Sequence, residues 1–304
     1  MRRFPVGMMA LCACLAAGGA ARAEPAAPKR IVSINLCSDI LAAGLAAPGT
    51  LKSVFRLAHD PDDSPVAALV RDIPANDGRI EDILPFAPDL VLAHEYSSPF
   101  TLDLIRRIGV PVMTVKDARN LAGIRDNIRA VAAALGREAR GEALIAGFER
   151  EMKAARRDTA ERPAAILYQD LGSAAAPNSI LGQLLDHTGF RNVITQDSPV
   201  GLVYPGIEDV IELRPELIAL GIYRPGQPSQ ASALLQHPAL RLYREHYARE
   251  IRLRARDWVC STHVVARVAA RLAAAHDAMT ANKNISALSP PEGQTAGRGA
   301  GRDK

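Results

Sequence analysis

Residues 80–93 read IEDILPFAPDLVLA, and residues 207–220 read IEDVIELRPELIAL. Every position in the second stretch lies 127 residues after its counterpart, and Ile80, Glu81, Asp82, Pro88 and Leu90 recur as Ile207, Glu208, Asp209, Pro215 and Leu217. A repeat at this spacing points to two similar lobes. In each copy the apolar residues fall at i, i+3 and i+4 ahead of the proline and run consecutively after it, which predicts a short helix followed by a buried strand. Glu81, Asp82, Glu208 and Asp209 point away from that apolar face. Two α/β lobes leave a cleft between them, and a cleft is where ligands bind.

Around each copy the chain alternates strand and helix, the pattern of parallel sheets with helices on their faces. In the first half Arg30–Asn35, Ser53–Phe55, Leu90–Ala93 and Val110–Val115 are predicted strands. A helix capped by Ser38-Asp39 is expected after the first strand, and another over Thr101–Ile108. Residues 121–157 break the alternation. They keep helical spacing, and the stretch from Glu138, rich in Ala, Glu and Arg with Leu144, Ile145, Phe148 and Met152 as its stripe, reads as one long helix between the lobes. The second half resumes at Ala164–Tyr168 and ends with a helix over Thr262–Met279.

The ends carry other signals. Arg2 and Arg3, the uncharged run Phe4–Ala20 and Ala21-Arg22-Ala23 read as a secretory signal peptide over 1–23. Leu11-Cys12-Ala13-Cys14 resembles a lipid-attachment box, a competing reading, although the apolar run continues past Cys14. Residues 282–304 are expected to be a disordered tail, because Ser, Pro, Gly and Arg dominate the last stretch. The domain division is therefore 28–137 for the first lobe, 138–160 for the linking helix and 161–281 for the second lobe. Without the leader, Lys+Arg falls from 37 to 34 against 33 Asp+Glu, a near-neutral chain that gives no support for nucleic-acid binding. Only Cys37 and Cys260 of the four cysteines lie beyond the leader. They read either as buried small hydrophobes or as a pair meeting across the cleft, in a disulfide or as soft ligands to a chelated metal.

The strand Arg30–Asn35, the doubled E-x-x-x-x-x-x-P-[DE] unit, the long linking helix and the Trp258 loop before the last helix together resemble class III periplasmic substrate-binding proteins. These are the iron-siderophore, haem and cobalamin binding proteins of ABC importers. The resemblance spans about residues 30–280. It implies two Rossmann-like lobes joined by one long helix with little hinge motion, and a monomer that captures a metal chelate between the lobes and delivers it to membrane permease subunits. It also implies that Glu81 and Glu208 dock onto permease arginines; simple helix-end charge is the alternative role for each. A ferric siderophore or a corrinoid is the expected cargo, with haem on Tyr96 or Tyr223 as the alternative. No resident cofactor is expected.

Ligands of open α/β sheets contact the loops at the carboxyl ends of strands. Those loops hold Cys37, Phe55, Arg56, His94 and Tyr96 in the first lobe, and Tyr168, Tyr204, Tyr223, Arg224, Trp258 and Cys260 in the second. Aromatics make up 4% of the chain yet gather here, offering flat surfaces, while the arginines suit carboxylates or catecholates. Other chemistries fit less well. Asp60–Asp63 lacks the spacing of a calcium loop. His94-Glu95-Tyr96 has no second histidine four residues on, so a bare zinc or manganese site is disfavoured. No G-x-S-x-G elbow, phosphate loop or nucleophile–base spacing marks an enzyme. A chelatase-like scaffold on a similar fold would need more His or Cys ligands than the cleft loops supply.

Overall fold

A computed structural model describes residues 26–223 and 230–288, and side chains for all of these except 230–231 and 282–288. The first lobe runs β1 (Ile31–Ser33), α1 (Leu36–Leu45), β2 (Leu51–Phe55), α2 (Ala67–Val70), β3 (Ala75–Asn76), α3 (Ile80–Ile83), β4 (Leu90–His94), α4 (Pro99–Arg107), β5 (Val112–Val115) and α5 (Leu121–Ala134). Its strands stand in the order β3-β2-β1-β4-β5 and every pairing is parallel. The central β1 and β4 are buried along their whole length, as strands covered on both faces must be.

The start of α1 differs from expectation. Asn35, not Ser38-Asp39, caps it, its side chain accepting from the Cys37 N–H at 2.9 Å. Asp39 is fully buried and accepts from the Phe55 N–H at 3.1 Å, tying α1 to the end of β2. Burial raises the Asp39 pKa well above the usual carboxylate range, against the Ser33 and Phe55 hydrogen bonds.

The linking helix α6 (Glu138–Ala155) buries Ile145, Phe148 and Met152 on the stripe read from sequence. It stops short of the expected 160. The Arg157 N–H turns to the His187 carbonyl, and its guanidinium holds Asp277 at 2.7 Å. A single apolar cluster runs from Ile31 and Leu92 through Ile128 and Phe148 to Leu167 and Leu272, so the helix lies inside a core shared by both lobes.

The second lobe comprises β6 (Ala164–Gln169), β7 (Ala174–Ala175), α7 (Ile180–His187), β8 (Arg191–Asn192), β9 (Leu202–Val203), α8 (Ile207–Glu212), β10 (Leu217–Ile222), α9 (Gln230–Ala233), α10 (Pro238–His246), β11 (Arg249–Arg254) and α11 (Ala266–Leu288). Parallel pairing joins β11, β10, β6 and β8, while β7 and β9 are antiparallel additions beyond β6. Leu171 and Gly172 cause this departure from an all-parallel sheet: positive φ angles of 64° and 73° turn the chain back on β6. The last helix also exceeds expectation. It runs to Leu288, so 282–288 are helical rather than a disordered tail. Among the described residues no helix is long and apolar enough to cross a membrane.

The two repeat copies fold alike in detail. Ala87 and Arg214, 127 positions apart, both take left-handed backbone (φ 43° and 47°) just before a buried proline. The next residue pins the first strand of its own lobe: Asp89 accepts from the Arg30 N–H at 2.8 Å, and Glu216 accepts from the Ala164 N–H at 3.1 Å. Asp82 and Asp209 accept from the N–H groups of Asp77 and Gly206, at 3.2 and 2.8 Å. Glu81 and Glu208 are exposed and engage no partner among the described residues.

Candidate ligand cleft

Parallel strands of both lobes point their carboxyl ends at a shared cleft. A cavity of about 220 Å³ lies there, with Tyr96 and Asp117–Arg119 from the first lobe and Gln169, Tyr223, Trp258 and the segment Val200–Leu202 among its lining from the second. Tyr96 and Tyr223 are themselves 127 positions apart. The correspondence between the lobes thus continues past the helix–strand unit and supplies one phenol from each lobe.

Each phenol sits beside carboxylates. Tyr96, 68% exposed, donates to Asp117 Oδ2 at 3.3 Å. The Tyr223 ring meets the Trp258 indole edge-on at 5.0 Å, and its N–H donates to Asp170 Oδ2 at 3.3 Å. Partial burial raises both phenol pKa values, and the neighbouring acids add to it: Asp117 and Glu95 for Tyr96, Asp170 and Asp63 for Tyr223. Both therefore stay protonated at neutral pH and present O–H donors. Gly221 makes the second-lobe wall possible, because a Cβ there would stand 2.8 Å from Gln169 Cγ and 3.2 Å from Trp258 Cζ2. Gln169 Nε2 and Trp258 Nε1 are buried donors with no acceptor among the described residues, the kind of group that a bound ligand or water satisfies.

Of the residues expected to contact ligand, Tyr96, Tyr223 and Trp258 line this cavity. Others do not. Tyr168 is fully buried and its hydroxyl reaches the Pro205 carbonyl at 3.4 Å, so it serves the core, because its side chain falls with Ile166 on the face of β6 packed against Val210 and Leu240. His94 is buried beneath Tyr96, its pKa lowered by burial against the pull of Asp117 and Glu95. Arg56 pairs with Asp77 at 3.1 Å and lies over the Phe55 ring, and neither residue lines the cavity. Tyr204 is exposed outside it. Arg224 lies outside the described residues. Cys37 and Cys260 form a disulfide with Cα atoms 5.3 Å apart, so they are neither separate buried thiols nor free metal ligands.

Asp117 and Arg119 were not among the expected contacts, although they lie just beyond β5, where the rule for loops at strand ends also applies. The Arg119 guanidinium donates to the Pro199 carbonyl at 2.7 Å, and Gln183 Nε2 donates to the Arg119 carbonyl at 2.9 Å. These bonds cross between the lobes beside the cavity. Among the described residues no three His, Cys, Asp or Glu side chains converge as a metal site. His59 bonds the Val70 carbonyl at 3.1 Å instead.

Comparison with known proteins places this architecture. The uncharacterized ABC transporter substrate-binding lipoprotein YvrC of Bacillus subtilis strain 168 is 28% identical over 129 residues, 41% of this chain. The match spans only 40% of that relative's length. The periplasmic heme-binding protein RhuT of Roseiflexus sp. RS-1 superposes with a TM-score of 0.63 at 26% identity, over 81% of this chain and 97% of its own. The vitamin B12 binding protein BtuF of Vibrio cholerae shares the fold at 19% identity, with a TM-score of 0.60 over 81% and 96% of the two chains. A periplasmic heme binding protein of Pseudomonas aeruginosa does so at 22%, with a TM-score of 0.64 over 82% and 92%. Residues 31–242 match the model of one family along both lobes and the helix between them, and the chain belongs to that family, the periplasmic binding proteins.

Proposed function

We propose that this protein is the periplasmic substrate-binding component of an ABC importer, and that it carries a metal chelate, a ferric siderophore or a corrinoid, to the permease. The observation that carries this reading is the pair of phenols, Tyr96 and Tyr223, one from each lobe in a single inter-lobe cavity. Aromatic walls suit the flat or bulky faces of a chelate, and Arg119 at the rim suits its acidic groups. Haem is the second reading. It is favoured by the 26% identity to a heme-binding protein and by an exposed phenol with a buried histidine behind it, ring centroids 5.1 Å apart.

Delivery would use Glu81 and Glu208. The other acids that recur in both copies, Asp82 with Asp209 and Asp89 with Glu216, have structural partners, whereas these two are left to solvent at matching positions. Such carboxylates suit arginines of a permease.

Trp258 is the only tryptophan, and it lines the cavity, so its fluorescence reports on this site alone. Titration with ferric catecholate and hydroxamate chelates, cyanocobalamin and hemin should quench it with a one-to-one stoichiometry for one class. Binding of none, together with turnover of a hydrolase substrate, would overturn the transport reading.

A further inference from the structure

We propose that the Cys37–Cys260 disulfide is a clasp that positions the Trp258 wall of the cleft, and that its reduction releases that wall and weakens ligand retention. The proposal rests on reading the cavity as the ligand site.

The bond joins the two lobes. Cys37 is the second residue of α1 in the first lobe, and Cys260 follows Trp258 and Val259 in the second, 223 positions later. Both neighbours of Cys260, Val259 and Ser261, line the cavity, as does Trp258. The first-lobe end is firmly seated. The Cys37 N–H is held by Asn35, and Asp39 two residues on is buried and bonded to the end of β2.

The second-lobe end is held quite differently. The backbone bonds of 258–262 among the described residues are local: Trp258 and Val259 donate to Ala255, and Thr262 to Cys260. Buried polar atoms without partners among the described residues concentrate there, namely Arg256 Nε, Trp258 Nε1, Thr262 Oγ1 and His263 Nδ1. Its own lobe holds this segment through Arg267, which meets Asp257 at 3.3 Å, and through Trp258 against Tyr223 and the shared core; the first lobe grips it as well. Cys260, 2% exposed, and Val264 pack among Leu36, Ile40, Val54 and Val66, and Arg256 donates to the Pro61 carbonyl at 2.9 Å. The cleft wall thus belongs to the second lobe by chain order and is attached to both lobes, with the sulfur bridge as its covalent tie to the first.

A small dithiol can undo the bridge. Its thiolate attacks the more accessible Cys37 sulfur, forming a mixed disulfide, and the Cys260 sulfur leaves and takes up a proton. The second thiol of the reductant then displaces Cys37, so the dithiol is oxidised to its own disulfide and both cysteines end as thiols. Two electrons and two protons are passed in all.

The test compares the oxidised protein, the same protein reduced with dithiothreitol, and the Cys37→Ser/Cys260→Ala variant. Without ligand, amide exchange over 255–263 should quicken by at least about tenfold on reduction or substitution, while β6 and β10 keep their protection. Unchanged exchange there, or an equal loss across both lobes, overturns the clasp. With whichever probe binds among hemin, cyanocobalamin and ferric desferrioxamine, the dissociation rate should rise in both opened forms; an unaltered rate overturns the link to retention. If no probe binds the oxidised protein, the transport reading fails, and the exchange result alone decides the clasp.

Discussion

The two repeat copies agree as far as the ends of β4 and β10 and then part. Up to Ala93 and Leu220 they share a helix, a left-handed joint, a buried proline and an acid that pins the first strand. At the next position the first lobe has His94, buried beneath Tyr96, and the second has Gly221, whose missing side chain admits Gln169 and Trp258. Two positions later the lobes agree again in Tyr96 and Tyr223. A duplicated scaffold therefore carries an unequal cleft. The first lobe offers a phenol on an exposed loop, and the second a phenol braced against an indole and a wall clasped from across the cleft.

Three experiments break or sharpen this comparison. The largest effect should come from the one exposed feature that the copies share without structural use. Glu81→Ala with Glu208→Ala should reduce uptake in cells to background while ligand affinity stays within about twofold, because both carboxylates are solvated and unpaired among the described residues. Each single change should leave partial uptake. Lost affinity with normal uptake would show that the pair serves the cleft.

The next tests the asymmetry of the walls through pH. Burial, with the nearby Arg267 adding to it, lowers the His263 pKa from 6.5 to about 4. The folded protein keeps this imidazole neutral while the unfolded chain takes up a proton below its ordinary pKa. Stability therefore falls as pH drops from about 6.5 towards 4, by an amount on the order of 3 kcal/mol at most. His263→Gln should remove that part of the acid sensitivity in urea melts taken across this window. His94, also lowered by burial but drawn upward by Asp117 and Glu95, should give a smaller flattening when changed to Gln. Equal flattening from the two would mean that the walls are electrostatically alike.

The smallest effect tests the joint. Ala87→Gly and Arg214→Gly relieve the same left-handed strain, and each should stabilise by about 0.5–1 kcal/mol in denaturant melts after the entropy cost of glycine. A gain in one copy alone would show that only that joint is strained.

Much of the scaffold was legible because it rests on local regularities. The spacing of Ile80 and Ile83, the consecutive run at Leu90 and the stripe of Ile145, Phe148 and Met152 report burial directly, since each follows the period of its own element. The cleft was legible in part. Tyr96, Tyr223 and Trp258 follow strands, and the rule for open sheets finds them. Tyr168 and His94 satisfy the same rule yet turn inward, because the last residues of a strand still alternate between faces and sequence does not say which face the neighbouring helices cover. The antiparallel β7 and β9 were missed because two-residue strands carry no period, and the turn behind them uses Leu171, a residue that seldom adopts positive φ.

By itself the sequence determined the two-lobed plan, the helix between the lobes and the symmetric exposed pair Glu81 and Glu208. These depend on contacts within an element or on equal spacing along the chain. Only the tertiary structure decided that Cys37 and Cys260 are bonded, that Arg119 and Asp117 reach the cavity while Arg56 is taken up by Asp77, and that Tyr96 and Tyr223 share one cleft. Those facts depend on distances between residues far apart in the chain, and such distances are set by how the lobes pack around the shared core of α6.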